Sequence, residues 1–124
     1  MIDFKNGSLI KLAPIEISKM PTPVDAMLVE GEEILAAFKA MRDSLVFTNK
    51  RAISINLQGM TGKKIDFTSL PYSKVQAFSI ETAGSFDLDC EIDLVYSGLG
   101  TVRFEIKGNF DVIKFNKIIS SYVL

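Results

Sequence analysis

The chain has 124 residues with no histidine and no tryptophan, one cysteine and four prolines. The lack of histidine removes Ser-His and Cys-His nucleophile activation outright. A single cysteine cannot close an internal disulfide, so a reducing compartment is expected. No window approaches the ~18 consecutive apolar residues of a membrane span. Met1–Gly7 has no basic stretch leading into an apolar run, so it does not read as a signal peptide. These absences together predict a soluble cytoplasmic domain. An excess of basic charge is missing too: 14 Lys and Arg face 15 Asp and Glu, a net charge of −1. That excludes nucleic-acid binding by bulk electrostatics. No phosphate loop or metal-ligand set appears, and no cofactor is expected.

What is present is apolar volume. Hydrophobic residues make up 48% of the chain, with nine phenylalanines supplying most of the bulk. One domain of this length can bury a core without disulfides or metal. The best-defined stretch is Ser44–Ile55, two apolar-rich runs joined at Asn49-Lys50, which reads as a β-hairpin. Leu45, Phe47, Ile53 and Ile55 are its expected core residues, and Lys50 and Arg51 its expected free side chains.

Upstream, Ile10, Leu12, Ile15 and Ile17 fit either a short strand or a frayed helix, each limited by Pro14 and Pro21. Thr22-Pro23-Val24-Asp25 has the signature of a helix start and Gly31 that of its end, predicting a two-turn helix over 23–30. From Glu33 the period becomes two. Ile34, Ala36, Phe38 and Ala40 share one face, while Leu35, Ala37, Lys39 and Met41 share the other. Ile53, Ile55 and Leu57 alternate with polar positions and predict a half-buried strand. Lys63–Ser69 follows, with Ile65 and Phe67 inward. In 74–82, Val75 and Phe78 can both face the core only if a β-bulge absorbs one residue near Gln76. Residues 86–96 alternate Leu88, Cys90, Ile92, Leu94 and Tyr96 with acids, and Val102, Phe104 and Ile106 mark a last strand. A helix then begins near Asn109, read as its cap, with Val112, Phe115, Ile119 and Tyr122 as its apolar stripe.

Seven strands in meander order followed by one amphipathic helix predict a mainly β fold. It is a seven-stranded antiparallel sandwich or partly open barrel with a capping C-terminal helix and a short N-terminal helix. This order resembles the pleckstrin-homology superfold. The local motifs resemble the bacterial pleckstrin-homology (PH)-like family, catalogued as a domain of unknown function. They are Val29–Glu33, Arg42-Asp43, Phe47–Arg51, Gly59, Gly62–Lys64, Leu70–Tyr72, Glu81–Gly84, Phe86–Asp89 and Ser120–Leu124. They span about residues 25–124, leaving 1–21 as an N-terminal extension of a single domain. The resemblance implies a non-enzymatic scaffold prone to cyclic self-association. It carries no lipid site to named residues.

Three surfaces stand out as candidates. The acidic series Asp87, Asp89, Glu91 and Asp93 projects from one strand face with neighbours roughly 6–7 Å apart. A straight strand cannot converge these oxygens on a cation. The series reads as a solvated face balanced by Arg103 and Lys107, or as one side of a charged subunit contact. Leu35, Ala37 and Met41 form an apolar outer face, to be covered by the N-terminal segment or by a neighbouring subunit. Lys50, Arg51, Lys63 and Lys64 would gather at a basic rim for an anionic lipid headgroup or phosphate. Cys90 reads as a buried structural thiol. The leading expectation is a non-catalytic module that forms a homo-oligomer. Peripheral lipid or anion binding is the alternative.

Overall fold

The computed structural model describes residues 9–20, 24–60, 63–82, 84, 89–108 and 111–124, the side chains of 9–11 excepted. Among the described residues there are eight strands: β1 (Leu9–Ile15), β2 (Ile34–Lys39), β3 (Asp43–Thr48), β4 (Arg51–Gln58), β5 (Lys64–Pro71), β6 (Val75–Thr82), β7 (Cys90–Tyr96) and β8 (Gly100–Ile106), followed by helix α1 (Val112–Val123). They form one open sheet in the order β5-β4-β3-β2-β1-β8-β7-β6. The seven expected strands appear as β2–β8. The eighth is β1, made from the segment read as an extension.

β1 corrects the purely antiparallel expectation. It runs antiparallel to β2 (Ala13 opposite Lys39) but parallel to β8 (Leu12 opposite Ile106), and so joins two antiparallel meanders into a single sheet. Pro14 fits within it because the β8 ladder stops at Leu12, where the Lys107 amide donates to the Leu12 carbonyl at 2.8 Å. The missing proline N–H therefore faces no strand on that side.

The two-turn helix over 23–30 is also corrected. Among its described residues a single 3₁₀ turn forms, at Asp25–Met27, with no side-chain hydrogen bond at its cap, Val24. So short a segment has too few hydrogen bonds to sustain an α-helix alone, and its packing supplies the order instead. Val24 is buried with Ala37, Val46, Ile53 and Ile55, while Met20, Leu28 and Ile15 pack against that group. The chain's own N-terminal third thus covers the outer face of β2–β5.

The sheet is consequently buried on both sides along β3 and β4. Phe47 is at the centre of the main core, edge-on to Phe38 (5.8 Å), Phe104 (5.9 Å) and Phe115 (4.8 Å). Leu45 and Phe47 face this core, whereas Ile53 and Ile55 belong to the second cluster on the opposite side. The half-buried reading of β4 fails because Ser54 and Asn56, polar in sequence, are buried too. Hydrogen bonds make that burial tolerable: Ser54 Oγ to Asn56 Oδ1 at 3.2 Å, and Asn56 Nδ2 to Asp43 Oδ1 at 2.8 Å. On β5 the inward residues are Thr68 and Leu70. Phe67 turns to the second cluster and Ile65 is exposed.

The predicted bulge is present, since Val75 opposes Tyr96 while Ala77 opposes Val95, leaving Gln76 unmatched. Val75, Phe78 and Ile80 all reach the main core as a result. A second bulge, between Ile34 and Ala36, is not signalled by the sequence. α1 is capped by Asp111, whose carboxylate accepts from the Lys114 amide at 3.0 Å. The expected cap, Asn109, lies outside the described residues. Val112, Phe115 and Ile119 bury the helix stripe, and Tyr122 stays half out of it.

Candidate functional site: charged surfaces around a closed core

The hairpin turn that looked open to a partner is engaged within the chain. Gly31 takes a left-handed φ of 80° that swings Glu32 back toward the β3–β4 turn. The Glu32 side chain is fully buried and meets the Arg51 guanidinium on both oxygens, at 2.9 and 3.0 Å. Thr48 Oγ1 donates to the same carboxylate at 2.6 Å, and the Val29 amide donates at 3.0 Å. Burial alone would raise the Glu32 pKa. Hydrogen bonds from Arg51, Thr48 and Val29 outweigh it and hold the carboxyl at about 2. Arg51 spends its other donors on the Met27 carbonyl (3.0 Å) and Ser69 Oγ (2.9 Å). Asn49 completes the lock, accepting from the Glu33 amide and donating to the Gly31 carbonyl.

Arg51 is therefore engaged within the chain, on Glu32, Met27 and Ser69. The basic rim does not form either. Lys50 precedes β4, whereas Lys64 pairs with Gln58 at the far end of that strand. Eight strand residues at ~3.4 Å each put the two ends about 25 Å apart. Lys63 and Lys64 instead share their end with Lys39 and Arg42. There the turn at 40–42 is tied to the end of β4 by Leu57 N to Arg42 O at 3.2 Å and by Arg42 Nη2 to Gly59 O.

The apolar first-strand face is divided. Ala37 is 3% exposed beneath Val24 and is not available to a second chain. Leu35 is the extra residue of the β2 bulge and lies half-buried in a groove beside Pro14 and Ile17. Met41 is 95% exposed at the turn, and Met60 on the neighbouring turn is 103% exposed.

Asp87 lies outside the described residues. Of the other acids, Asp93 is held by Arg103 Nε and Nη2 at 2.8 and 3.0 Å, and Asp89 accepts from the Gly108 amide at 2.8 Å. Glu91 receives only a longer contact from Arg103, at 3.5 Å. Strand register adds two acids that the period-two pattern of one strand could not reveal. Glu81 on β6 stands opposite Glu91, and Glu105 on β8 stands opposite it on the other side. This row borders a hollow of about 210 Å³ that also touches Cys90, Ile106 and Lys107.

Cys90 itself is buried, and burial followed by the Asp89 charge pushes its thiol up to about 11. Such a thiol is not a nucleophile at neutral pH. Among the described residues no group of acids and cysteine is arranged to hold a metal ion. No helix among them is long and apolar enough to cross a membrane.

Comparison with known proteins agrees with this architecture. A family model described as the bacterial PH domain matches residues 3–123. The chain is 38% identical over 120 residues to YjqA of Bacillus subtilis (strain 168), covering 95% of this chain and 96% of that protein. It is 31% identical over 100 residues to YozO of the same organism, covering 81% and 86%. The crystal structure of a DUF1696 family protein with a pleckstrin-homology domain from Shewanella loihica PV-4 superposes with a TM-score of 0.76 at 35% identity, covering 93% of this chain and 99% of the other. A pleckstrin-homology domain from Shewanella amazonensis SB2B gives 0.62 at 38% identity, covering 96% and 93%. The family model over residues 3–123 and the 38% identity to YjqA place the chain in the bacterial PH domain family, to which it belongs.

Proposed function

We propose that this protein is a non-catalytic assembly module whose copies associate through the free edge of the sheet. The observation that carries this reading is β6. It ends the strand order, with β7 as its only ladder neighbour among the described residues. Its eight residues, VQAFSIET, contain neither lysine nor proline, and its one charge, Glu81, sits near the end. Exposed Gln76, Ala77 and Ser79 leave its outer side sterically open. A long edge of this kind presents unpaired N–H and C=O groups to another strand. The opposite edge, β5, is blunted by Lys64, Asp66 and Pro71. Antiparallel pairing of β6 with β6 of a second copy would extend the sheet without changing the fold.

The test is light scattering on wild type and Ser79→Pro. Proline in the edge removes a donor and obstructs strand addition. Wild type is expected to exceed the mass of one chain, and Ser79→Pro to shift toward the monomer with an unchanged circular dichroism spectrum. Equal masses would refute the edge contact.

A further inference from the structure

We propose that the hollow between the β3–β4 turn, the end of β5 and the last turn of α1 binds a small organic carboxylate with an apolar body. It measures about 540 Å³, within the range of small-molecule sites. The fold assembles it from segments far apart in sequence. Arg51 pairs with Pro71 in the β4–β5 ladder, and the Tyr72 amide donates to the Lys50 carbonyl at 3.0 Å. Val29 joins them because its amide donates to Glu32 Oε1 at 3.0 Å, and α1 contributes Tyr122.

Hydrogen-bond capacity decides the charge of the ligand. Both oxygens of Glu32 are already filled, one by Arg51 Nη2 and the Val29 amide, the other by Arg51 Nε and Thr48 Oγ1. What the lining leaves over is donors. Arg51 spends Nε, both N–H groups of Nη2 and one of Nη1 on Glu32, Met27 and Ser69, so one N–H of Nη1 remains. Ser69 Oγ accepts from Arg51, which leaves its own O–H to donate. The Ser73 hydroxyl and the Lys50 ammonium are exposed, with no side-chain partner among the described residues. Of the lining charges, Glu32 and Arg51 neutralise each other and Lys50 stands in excess. An acceptor-rich group with one negative charge fits that surplus. A second negative charge is disfavoured by the buried Glu32 carboxylate and by the C-terminal end of α1, where helical carbonyls gather partial negative charge. That balance selects a carboxylate over a phosphate monoester. The rest of the wall is apolar: Val29, Pro71 and the Tyr122 ring are all open to solvent and suit an aromatic or aliphatic body.

Titration of the isotope-labelled chain with 3-phenylpropanoate, followed by amide chemical shifts, tests the site. The amides of Lys50, Ser69, Ser73 and Tyr122 should move saturably, with an apparent dissociation constant of about 1 mM, ordinary for so small a ligand. The neutral 3-phenylpropanamide has the body without the charge, and inorganic phosphate has charge without the body. Each should bind about tenfold more weakly. Lys50→Ala should weaken 3-phenylpropanoate about tenfold and Lys50→Arg should restore it, while Tyr122→Ala should cost about fivefold. Lys50 is exposed and its side chain lies outside the Glu32–Arg51 pair, so its variants should keep the wild-type melting temperature. No saturable shift up to about 20 mM would overturn the proposal. So would equal binding of the amide, or wild-type affinity in Lys50→Ala. Inorganic phosphate binding as tightly as 3-phenylpropanoate would overturn it as well, by making the hollow a bare-anion site. The hollow shares no residue with β6, so none of these outcomes bears on the edge contact, which light scattering decides.

Discussion

Glu32 and Arg51 are the residue pair on which the β3–β4 turn depends. A fully buried carboxylate held by a bidentate guanidinium is costly to break, because the surviving charge keeps little of its solvation. Glu32→Gln is expected to lower stability by at most about 3 kcal/mol at pH 7, corresponding to the drop in pKa from 4.5 to about 2. The sign follows from the depressed value: this stabilisation is complete above pH 4.5 and disappears as pH falls toward 2. Urea midpoints measured at pH 7 and pH 3 should converge in the variant relative to wild type. At the centre of the core, Phe47→Ala removes three edge-to-face ring contacts and leaves a cavity. It should cost about 3–5 kcal/mol in the same assay. Tyr72 gives the opposite expectation. Among the described residues its buried hydroxyl has no hydrogen-bond partner, so Tyr72→Phe should leave stability unchanged or raise it by up to about 1 kcal/mol. Arg51 was read from sequence as free for a partner. Glu32 lies 19 residues away, and only the Gly31 turn brings the two together.

At the scale of elements, alternation made β2–β8 legible, since a strand with one wet face advertises its period. The phase slip between Val75 and Phe78 even located a bulge, because both residues were large and apolar. The β2 bulge gave no such signal: Leu35, Ala36 and Ala37 are all apolar, so shifting the register changes nothing visible. β4 misled for a related reason. Ser54 and Asn56 look like solvent-facing residues, and only their hydrogen bonds reconcile them with burial. The end of α1 was placed nearly right, but its cap is Asp111, within a residue or two of the expected start. Replacing that cap, Asp111→Ala, should cost about 1 kcal/mol, read by thermal denaturation. The N-terminal segment was the least legible element. β1 is a strand because the two meanders leave a slot between β2 and β8, and that slot is a tertiary fact.

For the whole molecule, the family resemblance lay in the order of motifs from Val29 to Leu124, and the match over residues 3–123 shows that the N-terminal segment belongs with them. The expected surfaces survived only in part. The basic rim was split by the length of β4, the apolar face was divided between Ala37 beneath Val24 and solvated Met41, and Glu91 of the acidic series joined a row through register with β6 and β8. Residue types were visible in sequence, but which of them share a surface depends on pairings that sequence spacing does not encode. The open β6 edge makes association the central claim. Light scattering of the wild-type chain across a concentration series up to about 100 µM tests it most directly. The account predicts a mass that rises above that of one 124-residue chain as concentration increases. A mass equal to one chain at every concentration would contradict it.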